Sequence, residues 1–183
     1  MDEVLIVRVC DITDVLYDFN GYMYRLVTCE AENDGAFSTL LPVENPVSAG
    51  DVISVEKCKL VRIDYEAKNI VTAVRIDRFE IKDADTKVSP YFNIPFLGLI
   101  KRHPESKVFE FGPDKIKFLK VRLQMRDPDR KPFVTPLLGF EDKAKLLDSF
   151  GRFKIIKGLA TLKHCKNSTG YELVLISATE YKK

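Results

Sequence analysis

The chain has 183 residues, of which 45% are hydrophobic and 31% are charged. This composition is typical of one or two globular domains and excludes wholesale disorder. No apolar run reaches the roughly 18 residues that a membrane-spanning helix needs. Residues 1–3 read Met-Asp-Glu and lack the basic segment of a secretory signal, so an intracellular location is expected.

Charge is distributed unevenly along the chain, although the overall net charge is only +2. Residues 1–86 contain 9 Lys and Arg against 17 Asp and Glu, a net charge of −8. Residues 87–183 contain 20 Lys and Arg against 10 Asp and Glu, a net charge of +10. This separation predicts that the two halves have different partners.

Residue spacings that mark metal sites or catalysis are missing from the sequence. The cysteines form no Cys-x-x-Cys pair, the two histidines have no zinc-type spacing, and no Gly-rich phosphate loop or Gly-x-Ser-x-Gly elbow occurs. We therefore expect no metal, no cofactor and no enzymatic activity, and we expect reduced cysteines, three of the four being core residues within apolar strand-like stretches. The residues concerned are Cys10, Cys29, Cys58, Cys165, His103 and His164.

The first half shows five strand-like runs separated by turn residues. The turn between the second and third runs is the hairpin-type sequence Asn33-Asp34-Gly35. Pro42 and Pro46 leave little room for a helix between the third and fourth runs. The predicted strands span residues 4–12, 21–30, 36–41, 51–63 and 69–81.

The second half repeats the scheme after a polar stretch that predicts a linker. A helix is expected over 141–150, where Ala144, Leu147 and Phe150 form an apolar face before Gly151. Gly158 lies inside the fourth run, where a closed barrel often needs a bend. The predicted strands span residues 96–100, 115–126, 131–138, 152–164 and 171–181. The predicted domains are an acidic domain at 1–84, a linker at 85–94 and a basic domain at 95–183.

Five strands with a helix between the third and fourth are typical of the OB-fold. The layout of the chain resembles tandem OB-fold single-stranded DNA-binding proteins of the replication protein A and telomere end-protection type. The sequence Gly50-Asp51-Val52-Ile53-Ser54-Val55 resembles the start of the fourth strand in that group. We predict an all-β protein of two tandem five-stranded OB-fold barrels, the second with a helix between strands 3 and 4. The alternative is a single ten-stranded sandwich, which the coincidence of charge break and linker disfavours.

The second predicted strand of the basic half has one apolar and one polar face. Leu119, Val121, Leu123 and Met125 alternate with a polar series, as expected for a half-buried strand. The alternation reverses before residue 119, which predicts a bulge near Phe118 and Leu119. The polar series is Lys120, Arg122, Gln124 and Arg126.

OB-folds bind oligonucleotides on strands 2 and 3 and the loops beside them. We therefore predict phosphate contacts from cations on this face and base stacking on neighbouring aromatic rings. The predicted nucleic-acid-binding residues are Lys107, Phe109, Phe111, Lys120, Arg122, Gln124, Arg126, Arg130, Lys131, Phe133, Lys163, Lys166 and Tyr171. For Phe109, Phe111 and Phe133 the alternative is burial in the barrel core, and for the cations an ordinary solvated face.

The acidic half should be repelled by phosphates, so we predict that it docks onto protein instead. The occupant we favour is a separate cationic protein; a second copy of the chain and its own basic domain are alternatives. Packing within the hairpin is the alternative explanation of the aromatic residues there. The predicted docking residues are Tyr17, Phe19, Tyr22, Tyr24 and Tyr65.

These features predict a non-enzymatic protein that binds single-stranded nucleic acid. The resemblance implies DNA rather than RNA, a role in genome or telomere maintenance, and a nuclear location. Two alternatives remain open from the sequence: an OB-fold scaffold subunit of a replication or telomere complex that does not touch nucleic acid, and a single-stranded RNA-binding factor.

Overall fold

A computed structural model describes residues 4–65, 69–102, 106–125, 132–164 and 171–182. The chain divides into two compact units, Met1–Ile94 and Pro95–Lys183. Each unit is a closed barrel of five principal strands. The predicted fold class, two tandem OB-fold barrels, is confirmed, and the single sandwich is excluded.

The first unit contains five strands: β1 (Leu5–Phe19), β2 (Tyr22–Ala31), β3 (Gly35–Pro42), β4 (Val52–Tyr65) and β5 (Asn69–Lys82). They form a barrel with strand order β1-β2-β3-β5-β4, closed by pairing of β1 with β4. Neighbouring strands are antiparallel except for β3 and β5, which run parallel with Thr39 beside Val74. Between β3 and β4, residues 43–51 form turns and no helix, as the prolines predict.

The first strand continues to Phe19, seven residues beyond its predicted end at Ile12. The pairing of β1 with β2 shifts between Val9 and Asp11 and again between Ile12 and Leu16. These bulges interrupt the two-residue period from which strands are predicted, so the strand predicted from that period ends too early. The hairpin closes at Asn20 and Gly21, whose φ angles of 55° and 87° suit a two-residue turn.

The segment predicted as a linker, 85–94, belongs to the first unit. The Ser89 amide donates to the Ile6 carbonyl at 2.8 Å, and the Phe92 amide donates to the Asp34 carboxylate at 2.8 Å. The Phe92 ring is fully buried and meets Phe37 edge-on, with ring centroids 5.0 Å apart. Polar composition suggested a solvated connection, but these backbone and ring contacts bind the segment to the barrel.

The strands of the second unit are β6 (Asn93–Lys101), β7 (Phe109–Phe111), β8 (Ile116–Met125), β9 (Phe133–Phe140), β10 (Ile155–His164) and β11 (Tyr171–Glu180). The barrel closes through a pairing of β6 with β8. The short strand β7, which was not predicted, also pairs with β8, near the start of that strand. The helix α1 (Asp142–Ser149) follows β9 and buries Ala144 and Leu147.

Gly158 lies at a close backbone contact between β10 and β11. A Cβ atom at this position would lie 1.9 Å from the backbone carbonyl oxygen of Ser177. The register of the pair shifts one residue later, between Leu159 and Ala160. The glycine therefore permits the close backbone contact beside a bulge, consistent with the bend expected at this position.

Candidate nucleic-acid interface

The outer face of β8 carries the polar series predicted from the sequence. Leu119, Val121, Leu123 and Met125 are buried, whereas Lys120 and Arg122 are exposed and Gln124 is half-buried. The alternation is thus confirmed over these residues. The predicted bulge near Phe118 and Leu119 is not formed, because β8 pairs with β9 in one continuous register from Phe118 to Met125.

Without the bulge, Phe118 lies on the same face as Lys120, at the end of an aromatic cluster. The Phe118 ring centroid is 5.8 Å from that of Phe109 and 6.2 Å from that of Phe111. Phe140 lies directly opposite Phe118 on β9. Phe109, Phe111 and Phe140 are 45%, 63% and 40% exposed, so their rings are open to solvent. We call these four residues, Phe109, Phe111, Phe118 and Phe140, the aromatic cluster.

Three cations lie farther along the same face, and we call them the cation row: Lys101, Lys120 and Arg122. Lys101 on β6 lies directly opposite Arg122 on β8. Neither side chain makes a hydrogen bond or ion pair with any residue that the structure describes. Lys120 instead pairs with Glu172, with 2.7 Å between its Nζ atom and the carboxylate Oε1 atom. Two of the three cations are therefore open to an anionic ligand.

Sequence reasoning missed Lys101, Phe118 and Phe140. Lys101 was overlooked because only its register against Arg122 places it beside that residue. Phe118 was assigned to the apolar side by the assumed bulge. An uninterrupted two-residue period from Met125 back to Ile116 would have placed it on the outer face with Lys120.

Other predicted binding residues are divided between surface and core. Phe133 is only 7% exposed and faces the barrel interior with Met125, so it offers no open ring to a base. Lys107 is exposed, with its Nζ atom 5.8 Å from the Phe109 ring centroid. Lys163 is exposed, and the half-buried Tyr171 packs on His164 with ring centroids 4.7 Å apart. Arg126, Arg130, Lys131 and Lys166 lie outside the described residues.

The corresponding outer face of the first barrel is covered by its own side chains. The registers place Leu26, Leu40 and Arg75 on the face opposite Val27, Thr39 and Val74, which fill the barrel. All three outer residues are nonetheless buried. The residues that cover this face form one apolar cluster: Phe19, Tyr24, Leu26, Leu40, Val61, Ile63 and Ala73.

A buried ion pair lies within this cover. The Arg75 Nε atom is 2.7 Å from Asp77 Oδ1, and the Tyr24 hydroxyl donates to the same oxygen at 2.9 Å. The guanidinium carbon of Arg75 lies 4.8 Å from the centroid of the Phe19 ring and 5.3 Å from that of Tyr24. Arg75 therefore already has a carboxylate and two aromatic faces as partners.

The prediction of a docking role is wrong for two residues, because this packing buries their side chains. Phe19 and Tyr24 are 3% and 8% exposed and belong to the apolar cluster. Tyr17 packs against that cluster and donates its hydroxyl to the Asp64 carbonyl at 3.0 Å. Tyr22 is 69% exposed, and the side chain of Tyr65 lies outside the described ones. Hairpin packing, the alternative for these aromatics, thus accounts for Phe19 and Tyr24.

The described cysteines lack the properties of nucleophiles. Burial raises the pKa of the Cys29 and Cys58 thiols from 9.0 to about 12. Burial, followed by a hydrogen bond with Glu30, raises the pKa of Cys10 to about 11. All three are free thiols and stay protonated near neutral pH. In the described ranges no three His, Cys, Asp or Glu side chains come together as metal ligands, and no helix is long and apolar enough to cross a membrane.

Two solved structures of the single-stranded DNA binding protein from Thermus aquaticus are similar to this chain over nearly its whole length. The wild-type structure is 11% identical, covers 98% of this chain and 92% of its own, and has a TM-score of 0.68. A deletion mutant is 9% identical, covers 98% and 94%, and has a TM-score of 0.69. At these identities the likeness shows a shared fold.

More distant is a replication protein A heterotrimer bound to single-stranded DNA. It is 11% identical, covers 98% of this chain and 49% of its own, and has a TM-score of 0.35. No protein-family model and no curated protein matches the sequence.

Proposed function

We propose that this protein binds single-stranded DNA, without catalysis, through the outer face of the second barrel. The observation that carries the proposal is the continuity of the aromatic cluster with the cation row on β8. Phe118 lies two residues from Lys120 and four from Arg122, so about 13 Å of one strand separates an aromatic ring from an unpaired cation. Rings of this kind stack on unpaired bases while cations neutralise the phosphates between them.

Single strands fit this face better than a duplex. The cluster presents open ring faces rather than groups that read base edges in a groove. The bases of a duplex are stacked on each other and cannot reach these rings. The net charge of +10 over residues 87–183 supplies the attraction for the phosphate backbone.

The first barrel has a different role in this proposal. Its equivalent face is filled by Phe19, Tyr24 and Arg75, and residues 1–86 carry a net charge of −8. An acidic surface repels phosphates, so we infer that this barrel docks onto a protein partner, with the exposed Tyr22 as a contact. That arrangement suits a subunit of an assembly that maintains or replicates chromosomal DNA. A telomeric role and a nuclear location stay predictions.

The preference for DNA over RNA is supported by the shared fold with a protein whose name states that it binds single-stranded DNA. Docking of protein on the second barrel is the competing function, because four clustered phenylalanines are also what a protein interface offers. The two functions differ in salt dependence and in the polymer that is bound.

Fluorescence anisotropy of the full chain with labelled single-stranded DNA, single-stranded RNA and duplex DNA over a salt series tests the proposal. We expect the tightest binding to single-stranded DNA and a log–log salt slope of about −1.4 if the two unpaired cations of the row contact phosphates. Arg122→Glu should weaken binding and flatten the slope without changing the circular dichroism spectrum. Absence of binding at low salt would leave protein docking as the function of this face.

A further inference from the structure

The carboxylate of Glu172 reaches into the cation row from a distant part of the chain. Neither β8 nor β9, the two central strands of this face, contains an Asp or Glu. Glu172 comes from β11, on the far side of β9 from Lys120. Its Oε1 atom nevertheless lies 2.7 Å from Lys120 Nζ, so the carboxylate and the ammonium group meet across β9.

The surroundings of Glu172 place it between two lysines. Lys163 lies directly opposite Glu172 in the pairing of β10 with β11. Lys120 approaches from the other side, opposite Leu138 on β9, which in turn lies beside Val174. One carboxylate therefore lies between two of the cations predicted to contact phosphate.

This ion pair adds little to folding stability, because both partners are accessible to water. The side chain of Lys120 is 53% exposed and that of Glu172 is 27% exposed. Solvent and salt screen ion pairs at such positions. The pair does, however, occupy the one cation of the row that lies between Phe118 of the aromatic cluster and Arg122, where a bound strand would pass.

We propose that Glu172 lowers the affinity of this face for single strands by holding Lys120 in an ion pair that a phosphate must displace. This inference rests on the proposed function and concerns the regulation of the same site. When single-stranded DNA binds along β8, a phosphate replaces Glu172 as the partner of the Lys120 ammonium group. The free energy of binding is therefore reduced by the free energy needed to separate the ion pair. The carboxylate thus favours release of the strand and limits binding to ligands that bring both phosphates and stacking bases.

Glu172→Gln tests this inference because it keeps the size of the side chain and frees Lys120. In the wild type the displaced Glu172 carboxylate takes up a cation, which cancels the counterion that the phosphate releases at Lys120. In Glu172→Gln that release is no longer cancelled, so the log–log salt slope steepens by about 0.7, which corresponds to binding about eightfold tighter at 50 mM salt and about fourfold tighter at 150 mM. The measurement is anisotropy of the full chain with a labelled oligothymidylate over the same salt series.

The matched control is Glu180→Gln, which lies on the same strand and makes the same change in net charge. Glu180 pairs with Lys154 at 2.9 Å, and it lies about 25 Å along β11 from Glu172. Lys120→Met breaks the Glu172 pair from the other side without freeing a cation. We expect Glu180→Gln to bind like the wild type and Lys120→Met to bind no more tightly than the wild type.

The outcomes separate this inference from the proposed function. If the wild type binds and Glu172→Gln is tighter and steeper than both controls, the inference holds. If the wild type binds but Glu172→Gln matches it, or if Glu180→Gln or Lys120→Met tightens binding equally, the inference is overturned while the proposed function stands. If no variant binds at low salt, the proposed function itself fails, and the inference with it.

Discussion

Lys101 and Arg122 lie directly opposite each other across the β6–β8 pair, both exposed and both on the outer face of the second barrel. Like charges in this position destabilise a sheet unless an anion lies between them. The neighbouring pair in the same register, Ile100 and Leu123, is apolar and buried, so it has no such repulsion. The cationic pair is therefore a local cost in stability that a bound phosphate would remove.

The first prediction follows from this opposition. Lys101→Gln should raise the free energy of unfolding by about 0.2–1 kcal/mol, because the repulsion is lost. The same change should weaken binding of single-stranded DNA and flatten its salt dependence by about 0.7. Urea denaturation and anisotropy measure the two effects. Lys143→Gln, the same substitution on the exposed surface of α1, should change neither; a loss of both stability and binding at Lys101 would contradict the prediction.

The second prediction concerns the aromatic cluster. Phe111→Ala should weaken binding by about 1–3 kcal/mol, the range measured for one base stacked on one ring. Folding should be unaffected because Phe111 is 63% exposed. Phe153→Ala removes an equally exposed ring, at 68%, that lies outside the cluster. Equal losses in the two variants would show that general hydrophobicity, rather than this cluster, holds the strand.

The third prediction concerns the buried ion pair of the first barrel. Arg75→Leu should lower the free energy of unfolding of this unit by about 3 kcal/mol, because the Asp77 carboxylate loses its cation. Arg78→Leu should cost less than about 1 kcal/mol, since Arg78 is 75% exposed and 3.7 Å from Glu56. Five of the seven tyrosines lie in residues 1–94 and there is no Trp, so tyrosine fluorescence follows this unit. Similar costs for the two variants would refute a structural role for the Arg75 pair.

The fourth prediction concerns the close backbone contact between β10 and β11 at Gly158. Gly158→Ala should destabilise the second unit by about 3 kcal/mol, because the added methyl group would lie 1.9 Å from the Ser177 carbonyl oxygen. Ser177→Ala leaves that carbonyl in place and should be close to neutral. Amide hydrogen exchange along β10 and β11 measures both variants; unchanged protection in Gly158→Ala would mean that the two strands can separate at no cost.

The fifth prediction concerns alkaline pH. Burial holds the pKa of Cys29 near 12 in the folded barrel, against 9.0 when the thiol is exposed. Above pH 9 the unfolded chain loses this proton and the folded chain keeps it, so stability falls as pH rises towards 12. Between pH 7 and 10 this thiol should account for a loss on the order of 1 kcal/mol. Urea denaturation should show that Cys29→Ala loses less free energy of unfolding than the wild type between pH 7 and 10. An identical loss in the two proteins would contradict the prediction.

Several features of the site could be predicted from sequence, and others could not. The polar face of β8 was predictable because Lys120, Arg122 and Gln124 alternate with buried residues over an unbroken run. Phe133 has the same residue type and local pattern as an exposed strand phenylalanine, yet its register against Met125 turns it inwards. Phe19 and Tyr24 lie at the end of a bulged hairpin, and only the curvature of that hairpin buries them.

The sequence by itself determined the five principal strands of each barrel, the position of α1 and the separation of charge between the halves. These properties depend on local periodicity, turn residues and composition, which act over a few neighbouring residues. Only the tertiary structure decided that Lys101 lies opposite Arg122, that Glu172 reaches Lys120 from 52 residues away, and that the equivalent face of the first barrel is covered. The physical reason is that strand register and hairpin curvature are set by packing between distant segments, and a shift of one residue would move each of these side chains to the other face.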